Sequence, residues 1–203
     1  MNKLITFEGI DGVGKTTQIK LFLDSLKREK INYILFREPG GTSLSEKIRN
    51  ILLDNRNEIS NLSETLLFLA ARSDLVNKKI KPQLKNTDSY IICDRFLDST
   101  LAYQSYGRDV DLELVQAITS KVTNGVIPST TFLLDADIDL CLSRITSKDR
   151  MESEGRKFLL KVKNGFLELA KSNKNRYVII DANKTIPEIQ DYIWNEFFNR
   201  YLK

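Results

Sequence analysis

Five short apolar runs, helix-like spacing between them, and a glycine-rich turn after the first run predict an α/β fold built on a parallel sheet. The runs are LITFE (4–8), NYILF (32–36), SYIICD (89–94), STTFLLD (129–135) and RYVIID (176–181). Their apolarity is nearly continuous rather than alternating, which suits strands covered on both faces. Strands that alternate with helices are joined by crossovers, and crossovers leave neighbouring strands parallel.

Each intervening stretch carries its own signal. Ile19, Phe22, Leu23 and Leu26 follow the glycine-rich turn at helical spacing, and Leu44, Ile48, Ile51 and Leu52 do so after the second run. The stretch 62–76 places Leu66, Leu67, Leu69, Leu75 and Val76 on more than one helical face, as a buried helix or an interface helix would. Asn124-Gly125 reads as a helix stop. Thr185-Ile186-Pro187-Glu188 reads as a capping box with proline in the first turn, ahead of Ile189, Tyr192 and Ile193. Polar stretches at 54–61 and 147–156 are the expected mobile segments, and no internal repeat interrupts the order.

A chain of 203 residues suits one core, so residues 1–203 are expected to form a single domain. The net charge of +4, from 31 basic and 27 acidic residues, is too mild to argue for a nucleic-acid partner. Glu8 breaks the first apolar run too early for a signal peptide, and no stretch approaches the ~20 apolar residues of a membrane span. Cys93 and Cys141 lie in apolar segments and form no metal-ligand pair, which points to a reducing, cytoplasmic location. The chain has no histidine, which excludes His-based acid/base chemistry and His-ligated metals.

The turn Gly9-Ile10-Asp11-Gly12-Val13-Gly14-Lys15-Thr16 fits G-x-x-x-x-G-K-[ST] and lies between a predicted strand and a predicted helix. Glycines let successive N–H groups face phosphate oxygens, the helix start adds partial positive charge, Lys15 reaches the outer phosphates, and Thr16 can ligate Mg²⁺. The nucleotide-binding expectation covers this turn and Thr17. A phosphate loop alone leaves GTPases, ATPase motors and several kinases open. A second signal narrows them. Ile91-Ile92-Cys93 ends in Asp94-Arg95, placing a carboxylate and a guanidinium beyond a strand's carboxyl edge, where open α/β sheets bind ligands. Asp94 can hold Mg²⁺ directly or through water, and Arg95 can bridge anionic oxygens while phosphoryl charge moves.

With FEGIDGVGKTTQ, FREPGGT (36–42), FLAAR (68–72), DRFLDSTLAYQSYGR (94–108), DRMESEGRKF (149–158) and VKNGFLELA (162–170), the chain resembles the thymidylate kinases over nearly its whole length. The resemblance implies a P-loop NTPase fold with a five-stranded parallel sheet flanked by helices, and a short mobile lid at about 144–157. It further implies a homodimer that moves the γ-phosphate of ATP to dTMP, with Mg²⁺ as cofactor.

By the same resemblance, Phe68 stacks on thymine and Arg72 donates to a base carbonyl. Their four-residue spacing puts both on one helix face. Thr100 and Gln104, also four apart, are expected to reach the base edge together. Tyr103 matches a tyrosine that crowds the sugar 2′ position, Asp11 a carboxylate near the acceptor's 3′-hydroxyl, and Arg37 an arginine on the acceptor phosphate. Some members carry an arginine where Gly12 stands here, so the lid is expected to supply that charge. Arg150 is the favoured residue, with Arg144 and Lys148 nearby. Ala182, in Asp181-Ala182-Asn183, falls where the family wraps adenine with backbone. The catalytic set implied is Lys15, Asp94, Arg95 and Arg150.

Two other classes fit poorly. A regulatory GTPase needs N-K-x-D on a late strand, and the chain offers DADID and DANKT. A nucleic-acid-binding ATPase needs a basic stripe with interleaved aromatics, which the chain lacks.

Overall fold

A computed structural model of the protein describes residues 2–85, 88–145, 150 and 154–203. The five apolar runs form β1 (Leu4–Glu8), β2 (Tyr33–Arg37), β3 (Tyr90–Asp94), β4 (Thr130–Asp135) and β5 (Tyr177–Asp181). They pair in parallel in the order β2-β3-β1-β4-β5. Phe7 and Arg37 both stand opposite Asp94, and Glu8 stands opposite Leu133. This register gathers Glu8, Arg37 and Asp94 at one edge of the sheet, from which the loops after β1, β2 and β3 depart.

The helices are α1 (Lys15–Arg28), α2 (Ser43–Leu53), α3 (Asn61–Leu75), α4 (Lys81–Leu84), α5 (Leu97–Thr100), α6 (Leu112–Val122), α7 (Ile138–Arg144), α8 (Gly155–Ser172) and α9 (Ile186–Tyr201). Side-chain caps fix several starts. Thr42 accepts from Ser45 N, Asp111 from Leu114 N, and Asp137 from Asp139 N. The expected capping box closes α9, with Glu188 accepting from Thr185 N at 2.9 Å. The expected stop after α6 is also present, with Asn124 and Gly125 both left-handed.

Two helices depart from simple α geometry. α3 continues through a π-helical stretch, Val76–Ile80, into α4, and α5 continues through another, Leu101–Gly107. The second matters for the site. Single π turns inside helices re-aim side chains that a 3.6-residue period would stack.

α1 and α9 pack together over one part of the core, where Phe22 meets Phe197 at 5.1 Å between ring centroids and Phe7 meets Phe132 at 5.2 Å. All four rings are fully buried, and each contributes ~2 kcal/mol of apolar transfer. α8 packs against the Leu101–Gly107 stretch so closely that a Cβ on Gly165 would lie 2.6 Å from the Tyr106 ring. That contact holds the segment after β3 in place.

α2 buries Ile48 and Leu52 but exposes Leu44 and Ile51, and α3 buries Leu69 and Leu75 while exposing Leu62 and Leu66. Among the described residues, no helix is long and apolar enough to cross a membrane. Of the stretch expected to form a lid, residues 146–149 and 151–153, Lys148 included, lie outside the described residues.

Candidate active site

The loops beyond the sheet edge enclose a cleft of about 510 Å³. Its first wall is the turn between β1 and α1. Gly9, Gly12 and Gly14 all have positive φ, and Gly14 sits at the cap of α1 with no side chain over the first amides. Those N–H groups have no intrahelical acceptor, so the cap position is open to an anion. Lys15 is buried and donates to Gly9 O at 2.9 Å and Ile10 O at 3.0 Å. Burial and the Arg95 charge push its pKa down to about 8, against the pull of Asp11, Asp94 and Glu8. Thr16 and Thr17 line the cleft beside it.

Gly12 lets another element approach this loop. At φ 76°, a Cβ there would lie 2.1 Å from Cys141 O, so the missing side chain admits the backbone of α7. α7 ends in Arg144, whose Nη1 lies 4.0 Å from the Cβ position at Gly14. Arg144 lines the cleft. Arg150, expected there from the sequence, is instead drawn to a buried carboxylate: its Nη2 pairs with Glu64 at 2.6 Å and its Nε donates to Leu52 O at 2.8 Å.

Arg95 stands between the walls. It has φ 68°, a conformation that turns the chain sharply where β3 gives way to α5, and its N–H donates to Phe7 O at 3.0 Å. Nη1 donates to Gly9 O and Ser99 Oγ, both at 3.0 Å, and Nη2 to Asp11 Oδ1 at 2.6 Å and Tyr103 OH at 3.2 Å. Tyr103 OH donates to the other oxygen of Asp11 at 2.7 Å, and its ring lies 5.0 Å from the guanidinium. Burial alone would raise the Asp11 pKa, but the Arg95 and Lys15 charges and these hydrogen bonds hold it at about 2. Burial works against the Arg95 charge, and Asp11 first among its neighbours outweighs it. Burial pushes the Tyr103 phenol well up.

Asp94 lines the cleft beside Arg95, and its Oδ1 is buried with no hydrogen-bond partner among the described residues. Such an atom is costly unless something fills its lone pairs. Among the described residues, no group of three or more Cys, Asp or Glu side chains forms a ready-made metal cage.

The far wall belongs to α2, α3 and the segment after Arg95. Phe68 packs on the Ile48, Leu52 and Ala71 patch and also lines the cleft. Arg72 is buried. It donates from Nε to Glu38 Oε2 at 2.7 Å, from Nη1 to Thr100 Oγ1 at 2.7 Å and from Nη2 to Phe96 O at 2.9 Å. Burial pushes the Glu38 carboxyl up against the pull of Arg72. Gln104 donates from Nε2 to Glu64 at 3.0 Å. Thr100 and Gln104 both line the cleft, yet the π turn between them sends one to Arg72 and the other to Glu64. Arg37 lines the cleft from the end of β2, with Glu46 3.6 Å away.

The other expected residues fall outside the cleft lining. Val13 is buried in the core, Gly9 and Ile10 contribute carbonyls to Lys15 and Arg95, and Ala182 is buried, bonded through its N–H to Asp135 O. Conversely, Glu8, Glu38, Arg49, Glu64 and Ser99 support or line the site with no role read from the sequence. Glu8 accepts from Phe96 N at 2.8 Å and Ser99 Oγ at 2.6 Å, linking β1 to α5. Burial, and then Asp98, raise its pKa to about 7. Its signal was an acid closing an apolar run. Glu64 gave no usable signal, since an acid in a first helical turn is ordinary dipole complementarity.

The thymidylate kinase family model matches residues 7–193. Among curated proteins, the thymidylate kinase of Chlorobium phaeobacteroides is 45% identical over 191 residues, covering 88% of this chain and 87% of that protein. The thymidylate kinase of Fervidobacterium nodosum is 44% identical over 200 residues, covering 98% and 99%. The crystal structure of thymidylate kinase from Ehrlichia chaffeensis superposes with a TM-score of 0.77 at 36% identity, covering 96% of this chain and 97% of that one. The phosphate-loop cleft, a family model spanning residues 7–193, and relatives matched along nearly the whole chain place the chain in the thymidylate kinase family.

Proposed function

We propose that the protein transfers the γ-phosphate of ATP to the 5′-phosphate of dTMP, giving dTDP and ADP for dTTP synthesis. The observation that carries this reading is the position of Arg95, bonded at once to the phosphate loop through Gly9 O and Asp11 and to the far-wall segment through Ser99 and Tyr103. A cation there can follow charge from a donor on one side to an acceptor on the other.

On the donor side, the amides from Gly12 to Thr17 grip the triphosphate, Lys15 exchanges its two carbonyl partners for phosphate oxygens, and Arg144 adds charge from α7. On the acceptor side, Phe68 stacks on the base, and Arg72, Thr100 and Gln104 address its edge. Tyr103 and Asp11 lie against the sugar, and Arg37 takes the phosphate. A phosphate monoester oxygen is already nucleophilic near neutral pH, so transfer is direct and in line and needs no general base. That agrees with a chain without histidine.

Mg²⁺ fits this site, because the unpartnered buried Oδ1 of Asp94 calls for a hard cation or its water, and the Thr16 hydroxyl lies on the same cleft. Asp94 and Thr16 would hold it. When bound, the ion neutralises oxygens of the triphosphate.

The reading extends to a cytoplasmic homodimer. Two free buried cysteines suit a reducing compartment. Leu62 and Leu66 on α3 and Leu114 on α6, which packs against α3, are exposed apolar side chains that a second copy could cover. The test of the whole reading is a steady-state comparison of acceptors. dTMP is expected to exceed dUMP and dCMP in kcat/KM, with thymidine inert. Efficient phosphorylation of thymidine with poor use of dTMP would overturn the assignment.

A further inference from the structure

Gln104 can address a base with either end of its amide, and the two ends select opposite bases. Thymine presents an N3–H donor beside the O4 acceptor. Cytosine presents an N3 acceptor beside the N4 amino donor. With Arg72 addressing the base carbonyl at position 4, Gln104 is left the ring 3-position, where an acceptor oxygen suits the N3–H of thymine and an amino group suits the bare N3 of cytosine. From geometry resting on the acceptor reading above, we infer that Glu64, which need not touch the substrate, is the residue that fixes this choice by holding the Gln104 amide in one of its two orientations.

Glu64 is 1% exposed in the first turn of α3. Its Oε1 accepts from Gln104 Nε2 at 3.0 Å and from Arg108 Nε at 3.2 Å, and its Oε2 accepts from Arg108 Nη2 at 3.3 Å and pairs with Arg150 Nη2 at 2.6 Å. A carboxylate set between two guanidinium groups accepts hydrogen bonds and donates none. Rotating the Gln104 amide by a half-turn would bring its Oε1 against that carboxylate, leaving two acceptors in contact at a buried site. The amide is therefore committed: Nε2 goes to Glu64, which leaves Oε1 for the cleft that Gln104 lines. The arginines hold the carboxylate in place, so the selection rests on a charge cluster behind the pocket wall.

The discriminating experiment measures kcat/KM for dTMP and dCMP in the full-length enzyme and in Glu64→Gln, Gln104→Met and the double variant. A glutamine at 64 can donate as well as accept, so the Gln104 amide is free to turn. The dTMP-to-dCMP ratio of Glu64→Gln is expected to fall roughly tenfold or more, with the dTMP KM rising and the dCMP kcat/KM increasing. A merely structural role would lower both acceptors together. In the Gln104→Met background, Glu64→Gln is expected to change the ratio no further, because there is no amide left to orient.

Glu64→Asp keeps the charge for both arginines while withdrawing the acceptor from Gln104. It is expected to lose the preference in the same way, and it replaces Glu64→Gln if that variant does not fold. A wild-type enzyme that prefers dTMP, with an unchanged ratio in the Glu64 variants or a further fall in the double variant, overturns this inference alone. A wild-type enzyme with no preference for dTMP refutes the acceptor reading beneath it.

Discussion

On the proposed reading one wall of the cleft takes the phosphate donor and the other the acceptor, and the two are built on opposite plans. The donor wall is one contiguous turn whose recognition groups are backbone amides, with Lys15 as its main side chain. The other wall is assembled from side chains on α2, α3, α5 and the π-helical segment after it, three of them aimed by a buried acid: Arg72 by Glu38, Gln104 by Glu64, and Ser99 by Glu8. A backbone site depends on local conformation. A side-chain site depends on buried electrostatics that span the chain. The two walls should accordingly fail in different ways.

The largest contrast comes from Lys15→Ala. It removes a buried charge whose hydrogen bonds within the fold go only to two carbonyls of its own turn, so kcat is expected to fall on the order of a thousandfold, while the melting temperature changes far less than in Arg72→Ala. Arg72→Ala should do the reverse. It strands Glu38 as an uncompensated buried carboxylate, a loss of about 3–5 kcal/mol, and thermal denaturation should register it as roughly 10 °C. An Arg72→Ala protein of unchanged stability would break the contrast.

A smaller effect appears with pH. The Glu8 carboxyl titrates at about 7 in the fold against an ordinary 4.5, so between those values the folded protein keeps a proton that the unfolded chain has released. Stability from this group therefore falls as pH rises from about 4.5 to 7, by up to ~3 kcal/mol, and levels off above. Glu8→Gln should flatten that part of the profile. Denaturant melts of both proteins at several pH values would sharpen the estimate of how much strain the buried acids impose. No histidine adds to this window, and the Glu38 carboxyl, which burial also pushes up, is common to both proteins and cancels in the comparison.

The same division decides what the sequence could disclose. The strands and the phosphate loop were legible because their signals are local: apolar runs, glycine spacing, a capping box. Gly12 shows where legibility stops. Its vacancy was visible, but that it admits the α7 backbone, which brings Arg144 to the cleft, depends on a contact between residues 12 and 141. Thr100 and Gln104 were expected to act side by side from their four-residue spacing. A π turn at Leu101–Gly107, which no periodicity announced, gives them separate partners. Glu38 and Glu64 look like surface acids in the sequence, and only their arginine partners in space account for their burial.

The account depends most on Arg95 acting on the phosphate in flight rather than on either bound nucleotide. Arg95→Ala tests this by single-turnover phosphoryl transfer alongside equilibrium binding of ATP and dTMP. The rate of the chemical step is expected to fall on the order of a thousandfold, while both nucleotides bind within about tenfold of the parent. An unchanged rate of transfer, with the loss confined to nucleotide binding, would contradict it.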